Sequence, residues 1–377
     1  MRMFCAAMLA LSIGLYAVYN RDVPNAAAAD DSAAKLKELK TKFGEEFDDL
    51  IKRFEKAGTV AEKKGIQAEA KELATLTAEK VRKVAEADPK SDTAFEAATF
   101  ALGRLVPIGG SGPDIEKMFG IVTDNHLNNP KVRDMVLVAG GAGPAGAKFL
   151  EAAATKSTNK DVRGLSLYIL GMSASSQSDE AVTEKESSEL VKKAVDYLER
   201  AIKESPDTKV DGDTIKNAAA AEIKSVKLLA IGSPAPVLEG TELRDQKKQS
   251  VAGMKGNVVL LDLWATWCGP CVSMIPHERE MVERLKSKPF KLISVSVDEK
   301  KDTVAKFLEK NPMPWTHWWD NGEENPLIQT LKVRGYPTLY LIDAKGVIRR
   351  KWVGVPQPVE SLDKAIDELL KEAAAKG

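Results

Sequence analysis

Cys268 and Cys271 stand three residues apart, in the run Trp264-Ala265-Thr266-Trp267-Cys268-Gly269-Pro270-Cys271. Two thiols at that spacing can hold a metal, form a structural disulfide, or exchange reversibly between dithiol and disulfide. The one other cysteine is Cys5, and His126, His277 and His317 lie far apart, so no second ligand pair completes a zinc site. A structural disulfide closing so short a loop adds little stability. Redox exchange is therefore the reading the pair supports. At a helix N-terminus, partial positive charge and free N–H groups favour the thiolate of Cys268, which attacks. Cys271, one helical turn on, can reach it to close an intramolecular disulfide. Pro270 is tolerated in the first helical turn and stiffens it.

Such a pair needs a strand to deliver it and a helix that starts on it. Residues 257–263 form a short, nearly continuous apolar run, the mark of a buried strand, and a helix can run over 271–285. A strand is predicted at 291–298, a helix at 302–310, and two strands at 338–343 and 347–353 around the turn Ala344-Lys345-Gly346. An amphipathic helix closes the chain at 361–375. This β/α order with a late hairpin predicts an α/β sandwich around a mixed central sheet. Asp262, between Leu261 and Leu263, puts a carboxylate inside the buried strand.

Upstream the character changes. All six tryptophans lie between 264 and 352, whereas about 30–230 has none and is rich in Ala, Lys and Glu. Apolar residues at helical spacing predict a hairpin of two long helices over about 33–88, broken at Gly58-Thr59. Shorter stacked helices follow, punctuated at 109–113, 128–130, 140–144 and near Ser205-Pro206. Gly141-Ala142-Gly143-Pro144-Ala145-Gly146 spells a dinucleotide-type glycine pattern, but the run before it reads as a helix, so a helix-to-helix turn is expected. His126 reads as a surface or turn residue. The fold class expected is thus α+β in two domains: an all-α region over 30–230, then an α/β sandwich over 231–377.

Residues 1–29 read as an address. Arg2 is followed by an apolar run from Phe4 to Tyr19, and Ala27-Ala28-Ala29 offers a small-residue cleavage site. A secretory signal is expected, with membrane anchoring through residues 3–19 as the alternative. Lys plus Arg and Asp plus Glu are each 55, a balance that argues against general electrostatic binding to nucleic acid or anionic lipid.

The C-terminal stretch resembles the thioredoxin superfamily, and within it the extracytoplasmic TlpA/ResA-like redoxins. Trp267-Cys268-Gly269-Pro270-Cys271 is similar to thioredoxin's own motif. Asp262 lies six residues before Cys268, where thioredoxins carry a buried carboxylate, and Pro276 lies five after Cys271, where their helix kinks. Arg334-Gly335-Tyr336-Pro337-Thr338 matches the cis-proline loop that faces the disulfide, and Gly354 a glycine of the substrate groove. Pro234-Ala235-Pro236 and Lys255 to Val259 resemble a leading hairpin. Ser294 stands where thioredoxins often place a lysine near the buried Asp.

The resemblance implies a thiol–disulfide oxidoreductase working mainly as a reductase. Cys268, Cys271, Asp262 and Pro337 would be its catalytic residues, and Trp267, Gly269, Pro270, Tyr336 and Gly354 its substrate contacts. No cofactor is expected beyond the Cys268–Cys271 disulfide itself. The partners would be disulfide-containing proteins and a membrane electron donor, in the periplasm or cell envelope. Two other functions compete: a helical interaction or scaffold protein with a secondary redox domain, and a peroxidase of peroxiredoxin type. The latter needs a Thr three residues before its reactive Cys, and Thr266 lies two before Cys268.

Overall fold

The structure is a computed structural model that describes residues 31–319 and 322–375. The expected signal or anchor at 1–29 lies outside the described residues. Among them no helix is long and apolar enough to cross a membrane. Two compact units divide the described residues: one gathers 31–170 with 197–219, the other 171–196 with those from 220 to 375.

In the first unit, α1 (Asp31–Lys56) and α2 (Val60–Ala87) form the expected hairpin. Leu36, Phe43, Phe47 and Leu50 repeat every three, four or seven residues, and all are buried on one face of α1. Thr59 and Glu62 form a reciprocal capping box that starts α2. Short helices follow: α3 (Asp92–Phe100), α4 (Pro113–Asn125), α5 (Val132–Ala139) and α6 (Gly143–Lys156). His126 caps α4 and is buried rather than superficial, its Nε2 2.8 Å from the Pro89 carbonyl oxygen.

The glycine pattern at 141–146 is a turn between α5 and α6. A Cβ on Gly146 would stand 1.9 Å from the Ala139 carbonyl oxygen, so this glycine permits close backbone contact between the two helices. Gly146→Ala is expected to cost about 3 kcal/mol, the upper part of the range for overpacking, because backbone and not a flexible side chain must give way. A lowered urea midpoint measures it; a loss below about 0.5 kcal/mol, the scale of an ordinary surface substitution, would contradict the close approach.

Next come α7 (Lys160–Asp179), α8 (Glu184–Glu204), a two-residue hairpin of β1 (Lys209–Val210) with β2 (Asp213–Thr214), and α9 (Ile215–Leu228). The second unit takes in 171–196 and 220–230, which precede the boundary at 230/231 read from the sequence. Ion pairs explain that grouping: Asp179 of α7 pairs with the buried Lys351, and the buried Glu222 of α9 with Lys332 and Arg334.

The second unit is built on one mixed sheet. Its elements are β3 (Glu239–Thr241), β4 (Lys248–Ser250), β5 (Val258–Trp264), α10 (Gly269–Leu285), β6 (Phe290–Ser296), α11 (Lys301–Lys310), β7 (Thr316–Trp318), α12 (Pro326–Thr330), β8 (Thr338–Ile342), β9 (Ile348–Val353) and α13 (Glu360–Ala374). The strand order is β7-β6-β5-β8-β9, with β5 parallel to β6 and antiparallel to β8. Every residue of β5 is buried, as its unbroken apolar run requires of a central strand.

β3 and β4 pair as a separate hairpin ahead of the sheet. The segment around it reaches both sides of the sheet. Leu243 N–H donates to the His317 carbonyl at 2.7 Å beside β7, while Ile348 N–H at the start of β9 donates to Ser233 at 2.9 Å. Trp315 and Trp318 are buried in the core.

Candidate active site

The sheet's central strand ends at Trp264, and Cys268 caps the N-terminus of α10, its Sγ accepting the Cys271 N–H at 3.2 Å. The two cysteines are joined by a disulfide with Cα atoms 5.3 Å apart. Gly269 and Pro270 make up the first turn of α10, where the missing N–H of proline costs nothing. Thr266 fixes the approach to Cys268: its N–H and hydroxyl donate to the buried Asp298 carboxylate at 3.0 and 2.6 Å.

Trp267 is 47% exposed, beside sulfur-bearing residues that are almost wholly buried. Its ring meets Tyr336 edge-on at 5.7 Å, which brings the 334–338 loop to the residue next to Cys268. The Tyr336–Pro337 peptide is cis. The Pro337 carbonyl accepts the Gly354 N–H at 2.7 Å, and Gly354 has a φ of +90°, which a glycine adopts without strain. Trp267 thus touches Tyr336, and the neighbouring Pro337 is tied to Gly354.

Asp262 is buried within β5. In the strand register it faces Ser294, whose hydroxyl donates to it at 3.1 Å; the Trp315 indole N–H in turn donates to Ser294 at 2.9 Å. Burial pushes the Asp262 carboxyl up to about 7, against the opposing pull of the Ser294 bond. A hydroxyl thus stands at the lysine position of the thioredoxins and supplies dipole but no charge.

A second buried carboxyl escaped the sequence reading. Glu278 on α10 is 2% exposed, and burial, followed by the charge of Asp262, holds it well above the ordinary carboxylate range. Its signal was present. Cys271, Met274, Ile275, Glu278, Met281 and Leu285 form one buried stripe, with Glu278 standing at an apolar position.

A mixed sheet with a Cys-x-x-Cys pair capping the helix after its central strand, opposite a cis-proline loop, defines a thioredoxin-fold redox domain. Residues 231–351 match the AhpC/TSA family. Over 141 residues the chain is 30% identical to a thiol-disulfide oxidoreductase ResA of Bacillus cereus, covering 37% of this chain and 79% of that protein. Against ResA of Bacillus subtilis (strain 168) the identity is 29% over 168 residues, 44% of this chain and 88% of the other. A crystal structure described as a putative thiol:disulfide interchange protein DsbE from Chlorobium tepidum aligns at 31% identity and a TM-score of 0.35, covering 38% of this chain and 99% of that one. The chain belongs to the thiol-disulfide oxidoreductases of the ResA family and is an enzyme of that class.

Proposed function

We propose that this protein reduces disulfides in extracytoplasmic proteins, with Cys268 and Cys271 as the redox pair. The observation that carries the proposal is the placing of Cys268. It caps a helix N-terminus beside the exposed Trp267 and the Tyr336–Pro337 loop, so a thiolate there is both stabilised and approachable.

In the reduced enzyme the Cys268 thiolate attacks one sulfur of a substrate disulfide. The substrate S–S bond breaks, a mixed disulfide forms, and the other substrate sulfur leaves as a thiolate. Asp262, ionised above a pKa of about 7, assists removal of the Cys271 proton. The Cys271 thiolate then attacks Cys268, releasing the second substrate thiol and restoring the enzyme disulfide. Two electrons pass to the substrate, and a membrane electron donor re-reduces the pair.

Tyr336 and Gly354 offer backbone to the substrate chain, Trp267 an apolar collar, and Gly269-Pro270 the clearance over the sulfurs. Residues 231–377 act as the redox domain and 30–230 as a helical appendage, in the cell envelope. A peroxidase reading finds less support, because Thr266 commits both N–H and hydroxyl to Asp298.

Trapping tests the reading. Reduced Cys271→Ser protein mixed with insulin is expected to accumulate a covalent adduct that dithiothreitol dissolves, because the second attack has no thiol. The wild-type protein should accelerate insulin reduction and show a potential near the reducing value of about −270 mV typical of thioredoxin. No adduct, or a potential above about −180 mV, would overturn it in favour of oxidation or isomerisation.

A further inference from the structure

Lys332 and Arg334 lie just ahead of the Gly335-Tyr336-Pro337 loop, and both reach the same buried carboxylate. Glu222 of α9 is 4% exposed. Lys332 Nζ lies 2.9 Å from its Oε2 and Arg334 Nη2 2.6 Å from its Oε1. The Ser175 hydroxyl of α7 donates to the same Oε1. All four residues belong to the unit that holds the sheet.

The loop's approach is held from other directions as well. The Tyr340 hydroxyl donates to the Leu331 carbonyl at 3.0 Å, and Lys332 sits in the left-handed region at φ +45°, which lysine rarely adopts. That conformation ends α12, where the Lys332 N–H donates to the Gln329 carbonyl and the Val333 N–H to the Ile328 carbonyl, so backbone and side-chain contacts together fix the start of the loop. Burial alone would raise the pKa of Glu222. The Ser175 bond and the Arg334 and Lys332 charges outweigh that, and the group stays below its ordinary range.

The clamp is asymmetric. Glu222 is almost fully buried and needs its cations, whereas the Lys332 and Arg334 side chains are 32% and 38% exposed and can turn to water. Neutralising Glu222 should therefore release the loop before it unfolds the unit.

We propose that Glu222 is a positioning residue for the substrate-contacting loop: it ties Lys332 and Arg334 to α9, so that Tyr336 is held in place for the incoming chain beside Cys268. This rests on the reading of Tyr336 and Pro337 as the loop's substrate-facing residues. A helix that precedes the redox domain in sequence thereby sets how well that domain grips a protein substrate.

The test is Glu222→Gln, which keeps the shape and the Ser175 contact. Its kcat/KM for insulin is expected to fall about tenfold, mainly through KM, as lost substrate contact should act on binding. Reduction of the small disulfide 5,5′-dithiobis(2-nitrobenzoate) should stay within about twofold of wild type and the potential of the cysteine pair should not move, because the attacking thiolate is untouched. Amide exchange over 332–338 should quicken while that over 258–264 does not. Arg334→Gln should reproduce the pattern from the loop side, and the double variant should be no worse than either single one.

A folded Glu222→Gln with unchanged insulin kinetics and loop exchange overturns the proposal. So do equal losses on both disulfides with faster exchange everywhere, the mark of general destabilisation. Should Glu222→Gln fail to fold, Arg334→Gln decides by the same readouts. If the wild type reduces neither disulfide, the proposed function fails instead, and loop exchange alone decides the role of Glu222.

Discussion

Cys268→Ser is expected to abolish turnover of a protein disulfide, a loss of at least about 10³-fold of the kind seen when a nucleophile is removed. A serine hydroxyl is not ionised near neutrality even at a helix N-terminus, and exchange runs only through a thiolate. Cys271 cannot substitute. It lies one turn further into α10, away from the helix end that favours a thiolate, and so is a poor first nucleophile. The measurement is insulin precipitation driven by dithiothreitol with wild type and variant side by side. Rates above a few per cent of wild type would mean that the electrons take another path.

Asp262→Asn should have two opposite effects. The variant should be more stable than wild type at pH 8 and no more stable near pH 4. In the unfolded chain an aspartate titrates at about 3.9, while burial places it at about 7 in the fold. Below about pH 4 the carboxyl is neutral in both states and carries no penalty. As pH rises the unfolded state ionises first and gains, and the penalty on the fold is complete once pH passes the folded value. A gap of about three units is worth about 4 kcal/mol at about 1.36 kcal/mol per unit, which bounds the gain for an asparagine that keeps the Ser294 bond.

The same substitution removes the group proposed to receive the Cys271 proton. Release of the mixed disulfide should slow by about 10²-fold, at the low end for general base catalysis. Urea melts at pH 4 and pH 8 and stopped-flow reoxidation separate the effects. A stability difference that does not change with pH would refute the burial of an ionisable Asp262.

The site was legible in sequence where a local pattern carries it. The apolar run of β5, the cysteine spacing and the Tyr336-Pro337 segment each mark themselves. The structure places the strand, the capped helix and the cis bond at those residues. Short pieces held by tertiary contacts were not legible. β7 spans Thr316–Trp318, too short for alternation to show. β3 and β4 are three residues each and polar at Glu239 and Lys248.

The buried acids lay between these extremes. Ile215, Ala219, Glu222, Val226 and Leu229 recur every three or four residues and are all buried, so Glu222 breaks an apolar stripe on α9 as Glu278 does on α10. An acid inside such a stripe signals a paired or proton-sharing group. Its partners come from distant segments, which periodicity alone does not reveal.

The hydrogen bonds made by the segment around β3 and β4 also bear on how the protein survives at high concentration. An open sheet has two margins, and each is a template on which another chain can add a strand. Here one stretch of chain closes on both. Near β7, Leu243 bonds His317 and Trp319 bonds Thr241; at the other margin Gly232 and Ala235 bond Ile348 and Gly346. The segment that leads into the redox domain thus also guards it against edge-to-edge polymerisation, and a version lacking that segment would expose backbone ready to recruit its own copies.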